Sequence, residues 1–266
     1  MPKTTLHTPV GHFEFKVLCF GLTNAPSTFQ AVMNRIFAPM LGRFVLVYLD
    51  DILVYSKTPV EHLEHLRAVL SVLRDDRLYG RISKCQFFKP EVLFLGFVAD
   101  KDGLHVDSAK VSAVEEWPVP NNVHELRSFL GLANYFRKFI QGYSALVVPM
   151  TELTKKDKPF VWSDECQQAF EAVKHALVNA PVLALPDFKR PFTVIVDASG
   201  VGIGAVLEQD GHPIAYESRR FTPAERNYTV GEQELLAAVH AMKVWRCYWK
   251  GGSSVCWSQT TTPTLS

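Results

Sequence analysis

The chain has 266 residues, with 28 Lys+Arg against 27 Asp+Glu, 47% hydrophobic and 21% charged residues. That is ordinary globular composition, long enough for one large or two modest domains, each with its own core. No stretch is strongly polarised, which excludes a basic-arm nucleic-acid binder. The five cysteines are scattered without a C-x-x-C, which argues against a disulfide scaffold or a zinc knuckle. His62 and His65 lack a third ligand and read as a solvated helix face. No signal-peptide core opens the chain and nowhere do 18 apolar residues run uninterrupted, so the expectation is a soluble, intracellular protein without membrane contact.

In chain order, residues 24–37 predict a helix: Asn24 can cap, Pro26 sits in the first turn, and Phe29, Val32, Met33, Ile36 and Phe37 share one face. Two β-rich runs, Phe44 to Leu49 and Ile52 to Tyr55, flank Asp50 and Asp51 and predict a tight hairpin with both acids at its tip. Pro59 opens a second helix with Val60, Leu63, Leu66, Leu70 and Leu73 on its buried side. Tyr79 to Phe88 and Val92 to Ala99 read as strands, followed by a turn at Asp102-Gly103.

After the proline-rich segment 117–122 come helical patterns at about 123–140, 144–154 and 164–179. A β pattern starts at Phe192 and reaches Asp197. It passes the glycines 200, 202 and 204, and pairs Ala205 to Glu208 with Pro213 to Glu217 across Asp210-Gly211. Those glycines lack the context of a phosphate loop and suit a β-hairpin better. From Thr229 to Trp249 a helix carries Leu235, Leu236, Val239, Met242 and Trp245 at core spacing.

Chemistry points first to Asp50-Asp51. Adjacent carboxylates repel, which raises a pKa unless a cation neutralises them. Flanked so closely by apolar strands, they read less as a solvated turn than as hard oxygen ligands for Mg²⁺. Alternation along a strand makes one the direct ligand and the other its helper.

Phe20-Gly21-Leu22-Thr23-Asn24-Ala25-Pro26-Ser27-Thr28-Phe29-Gln30, followed by Tyr48-Leu49-Asp50-Asp51, resembles the palm of a reverse transcriptase of gypsy-type long-terminal-repeat retrotransposons. Ser83 to Phe88, Phe94-Leu95-Gly96, Glu125 to Tyr135, Asp197-Ala198-Ser199 and Ala224 to Tyr228 continue the resemblance in family order, over residues 1 to about 250. It implies an α+β fold with three parts: a partial palm at 1–100, helices on an antiparallel sheet; a helical connection at 101–190; and a partial RNase H-like α/β domain at 191–250.

The implied activities are RNA-directed DNA polymerisation and hydrolysis of RNA in hybrids, by two-metal Mg²⁺ chemistry. The implied partners are RNA/DNA template-primer, RNA-DNA hybrid and dNTPs. By residue, the resemblance makes Asp50 a metal ligand supported by Asp51. Phe20, Gly21 and Gln30 line the nucleotide and template pocket, Lys84 falls in a motif linked to proton donation, and Phe94, Leu95 and Gly96 grip the primer end. Asp197 and Glu234 are the first two metal-binding acids of the RNase H site, with Glu232 the nearby alternative to Glu234.

The family also carries a polymerase aspartate upstream of the Phe-Gly motif, after the fingers, and a later RNase H aspartate in a Thr-Asp-His-like motif. Neither has a match here. The expectation is impaired catalysis, with a partner chain supplying missing elements; the alternatives are a catalytically dead nucleic-acid-binding or subunit-like fragment, and a host protein reusing the fold. Residues 251–266 read as an aberrant Ser/Thr-rich tail. Codons for Val255 to Thr264, read two bases later, permit Val-Leu-Val-Thr-Asp-His-Asn-Pro-Asn, which predicts a frame slip near 251–254. The coding sequence checks this: an alternative frame without that aspartate motif refutes the slip.

Overall fold

The computed structural model describes residues 4–19, 21–249 and 255–259. Packing divides the chain into two compact units, 1–89 and 90–266. The hairpin at residues 92–99 falls with the later helices in this packing.

In the first unit, β1 (Thr5–Thr8) and β2 (Gly11–Glu14) form a hairpin of their own. Helix α1 (Ala25–Ile36) is followed by β3 (Val45–Tyr48), β4 (Asp51–Val54) and α2 (Pro59–Asp75). Asn24 holds the position before α1, but its side chain makes no capping bond. The Thr58 hydroxyl does cap α2, accepting from the Glu61 amide. β3 and β4 pair antiparallel, and Met33, Phe37, Val45 and Val69 form the core between this hairpin and the helices. On α2 the buried side centres on Val69, with Val72 and Leu73 packed beside it. Val60, Leu63 and Leu70, expected inside, are exposed. Tyr79 to Phe88 is not a strand: it holds one 3₁₀ turn at Ile82–Lys84, with Tyr79 and Ile82 largely exposed.

The second unit opens with an antiparallel three-stranded sheet, β5 (Val92–Phe94), β6 (Phe97–Ala99) and β7 (Leu104–Val106), with the expected turn at Asp102-Gly103. Helix α3 (Ser108–Glu115) has no counterpart in the sequence reading; Asp107 caps it. Next come α4 (Val123–Tyr135), α5 (Tyr143–Leu146), α6 (Val148–Glu152) and α7 (Asp164–Val178). The Asn122 side chain accepts from the Glu125 amide, while the Glu125 carboxylate accepts from the Asn121 amide, so the start of α4 is closed from both sides. Leu126, Phe129, Phe136, Phe139, Met150 and Phe170 fill the core of this region.

β8 (Phe192–Ser199), β9 (Gly202–Gln209) and β10 (His212–Arg220) form the expected antiparallel meander. Helix α8 (Val230–Val244) and the short α9 (Arg246–Trp249) then return the chain, so that β11 (Val255–Gln259) runs parallel to β8 in the order β10-β9-β8-β11. Residues 255–259, assigned to the tail from sequence, thus complete one edge of the sheet. The slip region 251–254 lies outside the described residues.

α8 packs through Ala237 and Ala241, with Leu236 and Trp245 alongside. Leu235, Val239 and Met242, expected in the core, face outward. Among the described residues no helix is long and apolar enough to cross a membrane.

Candidate functional site

The β3–β4 hairpin closes on two turn residues, Leu49 and Asp50, with Tyr48 paired opposite Asp51. The sequence reading put both acids at the tip. Only Asp50 is a turn residue, and Asp51 is the first residue of β4. Leu49 adopts φ +52°, while no positive φ occurs at Asp50, the pattern of a type II′ turn. That turn follows the twist of the strands but puts a branched side chain in a left-handed conformation that favours glycine.

Gln30 on α1 supports it. Its side-chain oxygen accepts from the Leu49 amide at 2.6 Å, and its side-chain nitrogen donates to the Val47 carbonyl at 3.2 Å and to Asn34 Oδ1 at 2.8 Å. Gln30 therefore clips the helix to the end of β3, next to the acids. Both Asp50 and Asp51 are exposed. Val45, Val47, Ile52 and Val54 pack toward the helices, so alternation gives Asp51 the open face shared with Leu46, Tyr48 and Leu53.

Gly21 is exposed at φ +88° with open space around it, and Lys84 is exposed in its 3₁₀ turn. Phe20 lies outside the described residues.

In the second unit, Phe94 pairs with Phe97 across Leu95 and Gly96. Both turn residues have positive φ, +50° and +70°, as a type I′ turn requires. Leu95 is half-buried against the core of the helical region, whereas Leu93 is exposed.

Asp197 lies near the end of β8 and is exposed. It has the parity of Thr193 and Ile195, opposite to Phe192, Val194 and Val196, which pack against α8. A cavity of about 310 Å³ borders Asp197, Ser199, Ser218 and Arg220, together with Gln141 and Ser144. Glu234 sits half-buried on α8, the helix that covers the other face. Glu232 is occupied elsewhere. Its carboxylate accepts from the Thr229 amide and hydroxyl, both at 2.8 Å, in a capping box, and those bonds hold its pKa below the usual carboxylate value. Of the two acids at this point of the helix, Glu232 is the one that the cap takes.

A third polar cluster was not foreseen. Arg137 donates to Glu217 Oε1 at 2.9 Å and to the Ser218 carbonyl, His240 Nε2 lies 3.2 Å from the same Glu217 oxygen, and the Ser218 hydroxyl accepts from the Ser144 amide at 2.9 Å. These bonds tie the helical region to β10. Arg137 follows the motif ending at Tyr135, a signal that could have drawn attention to it.

Two family profiles match: the reverse transcriptase (RNA-dependent DNA polymerase) family over residues 2–99, and the RNase H-like domain found in reverse transcriptase over residues 162–255. The Pol polyprotein from the Drosophila melanogaster transposon 297 is 43% identical over 250 residues, covering 94% of this chain and 24% of the relative. That of the Drosophila transposon gypsy is 39% identical over 252 residues, with 90% and 24% covered. The Tf2-3 polyprotein of Schizosaccharomyces pombe is 37% identical over 251 residues, with 92% and 19% covered. The chain thus spans about a quarter of the length of the first two relatives.

Among solved structures, a foamy viral protease-reverse transcriptase in complex with RNA/DNA hybrid aligns with a TM-score of 0.82 at 27% identity. The alignment covers 96% of this chain and 35% of that one. A complex of the foamy viral protein with dsDNA aligns at 0.78, also at 27% identity, with 99% and 55% covered.

Both matched families are generally dependent on divalent metal ions. Asp50 and Asp51 fit such an ion by donor chemistry, since two adjacent, solvent-facing carboxylates supply hard oxygens and leave room for water and phosphate to complete the set. Among the described residues no three His, Cys, Asp or Glu side chains are grouped to hold a metal by themselves. The acid-bearing turn, the ordered motifs and the two matched profiles agree: residues 2–99 belong to the reverse transcriptase family and residues 162–255 to the RNase H-like domain found in reverse transcriptase, and the chain's homologues are gypsy-type retrotransposon Pol polyproteins.

Proposed function

We propose that this chain serves RNA-directed DNA synthesis and hydrolysis of RNA in hybrids, using the Asp50–Asp51 turn for the first and Asp197 with Glu234 for the second. The observation that carries the reading is the clipped II′ turn, which presents two carboxylates to solvent at a fixed place on a rigid hairpin. Asp50, supported by Asp51, would hold Mg²⁺, which supplies charge stabilisation for the attacking 3′-hydroxyl and the leaving pyrophosphate of a dNTP.

The rest falls to the chain itself. Gln30 orients the turn and Gly21 borders the nucleotide and template, a role that the resemblance also gives to Phe20. Phe94, Leu95 and Gly96 hold the primer end, and Lys84 would donate a proton. Asp197, bordering the cavity, would hold Mg²⁺ and orient water toward the RNA strand, while Glu234 on α8 takes the same role by resemblance alone. In this reading the palm takes about 1–100, a helical connection 101–190 and the RNase H-like part 191–250.

The test is primer extension and hybrid cleavage by the purified chain with Mg²⁺, beside Asp50→Asn and Asp197→Asn. Asp50→Asn is expected to lower extension at least 100-fold and leave cleavage unchanged, with Asp197→Asn doing the reverse, since each removes a charge that the metal requires. Template-primer binding without turnover in all three proteins favours the subunit-like alternative. A wild-type chain that neither turns over nor binds template-primer overturns the proposal.

A further inference from the structure

Tyr135 ends α4, far in sequence from the β5–β6 hairpin, yet it meets the tip of that hairpin three ways. Its hydroxyl donates to the Leu95 carbonyl. Its ring stacks on Phe97, with centroids 5.2 Å apart and planes 5° from parallel. A Cβ placed on Gly96 would come within 3.2 Å of the Tyr135 hydroxyl oxygen and 3.4 Å of its ring. Phe97 is itself buried, edge-on to Phe136 at 5.6 Å, with Lys138 Nζ 3.7 Å from its ring centroid.

The conformation at the tip needs such support. Leu95 at φ +50° bears a steric cost that glycine would avoid. The hydrogen bond to the Leu95 carbonyl offsets that cost. The close approach of the Tyr135 ring also explains why position 96 is glycine, independently of its positive φ. Tyr135 is nevertheless 49% exposed. Its ring covers the turn while leaving one side open to solvent, which a residue serving only as core would not do.

We propose that Tyr135 is a positioning residue for the Leu95–Gly96 turn, and that through this turn it sets where the 3′ end of a primer strand rests. The inference builds on the reading of Phe94, Leu95 and Gly96 as the primer-holding segment. It adds that the turn is held by a hydroxyl from α4 and does not stand by its own backbone preference. The occupant is the recessed 3′ terminus of a base-paired duplex. A blunt duplex or a single strand has no such end to place.

The experiment measures binding of the full chain to three fluorescent probes: an RNA/DNA template-primer with a recessed 3′ end, a blunt duplex of the same length, and single-stranded RNA. A 2-aminopurine at the primer terminus reports its stacking. Tyr135→Phe keeps the ring and removes the donor. It is expected to weaken recessed-end binding about three- to tenfold, the equivalent of one hydrogen bond, to alter the 2-aminopurine signal, and to leave the other two probes unchanged. Amide exchange at Gly96 and Phe97 should speed up in the same variant. Tyr135→Leu, which also loses the stack, should go further on the recessed end.

A wild-type chain that prefers the recessed end, with a Tyr135→Phe variant that keeps that preference and the wild-type exchange, overturns the positioning role and leaves the proposed function standing. Equal weakening on all three probes also overturns it, by showing a general structural effect. A wild-type chain without any preference for the recessed end overturns both.

Discussion

Replacing Gln30 with Leu is expected to lower divalent-ion affinity at Asp50 and Asp51 by about 10- to 100-fold, the range found when a group that orients metal ligands is removed. Gln30 has one amide oxygen and one amide nitrogen, and both are used on the end of β3, at Leu49 and Val47. The two bonds contribute about 1–3 kcal/mol together, against roughly 1–2 kcal/mol for holding Leu49 at φ +52°. With the clip gone, that balance favours a relaxed turn, and Asp50 swings with it because it is the next residue. Leu has nearly the volume of Gln, so packing beneath α1 changes little.

Two measurements check this. Mn²⁺-induced broadening of NMR signals from residues 48–52 reports ion affinity, and exchange of the Leu49 amide hydrogen reports the clip directly. Adding Leu49→Gly, which accepts positive φ at little cost, should recover part of the lost affinity. Unchanged broadening and exchange in Gln30→Leu would show that the turn holds itself.

Gly103→Ala should destabilise the second unit by about 2–4 kcal/mol, read as a lower urea midpoint. Gly103 has φ +144°, and a Cβ there would lie 2.2 Å from the Leu183 carbonyl oxygen, a backbone atom that cannot rotate away. The approach is structural: the Leu104 amide donates to the Leu183 carbonyl at 2.8 Å, and the Leu183 amide donates to the Leu104 carbonyl at 3.0 Å. This bridge attaches the segment after α7 to β7, the edge strand of the small sheet. Ala therefore either breaks the bridge or strains the turn.

Gly131→Ala is the control. That glycine lies inside α4, and an added methyl group would have nothing within 4 Å of it, so alanine there should stabilise by about 0.5–1 kcal/mol. Opposite signs from two identical chemical changes would confirm that close approach, and not helix or turn propensity in general, sets the cost at Gly103.

The helices show where periodicity stops being informative. On α8, spacing correctly identified a helix and placed Leu236 and Trp245 against the core, but it gave Leu235, Val239 and Met242 the same role. The face that meets the sheet is centred on Ala237 and Ala241, since small side chains let a helix axis lie close to a sheet. Hydrophobicity alone weights large residues and so rotates the inferred stripe. The same error occurred on α2, where the buried side runs through Val69 and Val72 in place of Val60, Leu63 and Leu70. Tyr79 to Phe88 read as a strand because its aromatic and branched residues suit one, yet no neighbouring strand pairs with it among the described residues.

The acids were legible as residues and not as geometry. The Asp50-Asp51 pair and the motif around it identified the family from sequence, because ordered motifs survive as strings whatever the backbone does. Only the fold decided that Asp50 lies in the turn and Asp51 in β4, that Gln30 is tied to the backbone beside them, and that Glu232 is taken by the cap of α8.

By itself the sequence determined most of the helices and the β8–β10 meander, the α+β class and the family, each encoded in local pattern and motif. The tertiary structure alone decided which face of each helix is covered, which acid occupies the turn, and which distant side chains, Gln30 and Tyr135, hold the two strained hairpins. Those choices depend on contacts between residues far apart in the chain, 40 positions for Tyr135 and Leu95, and no local pattern carries such a distance.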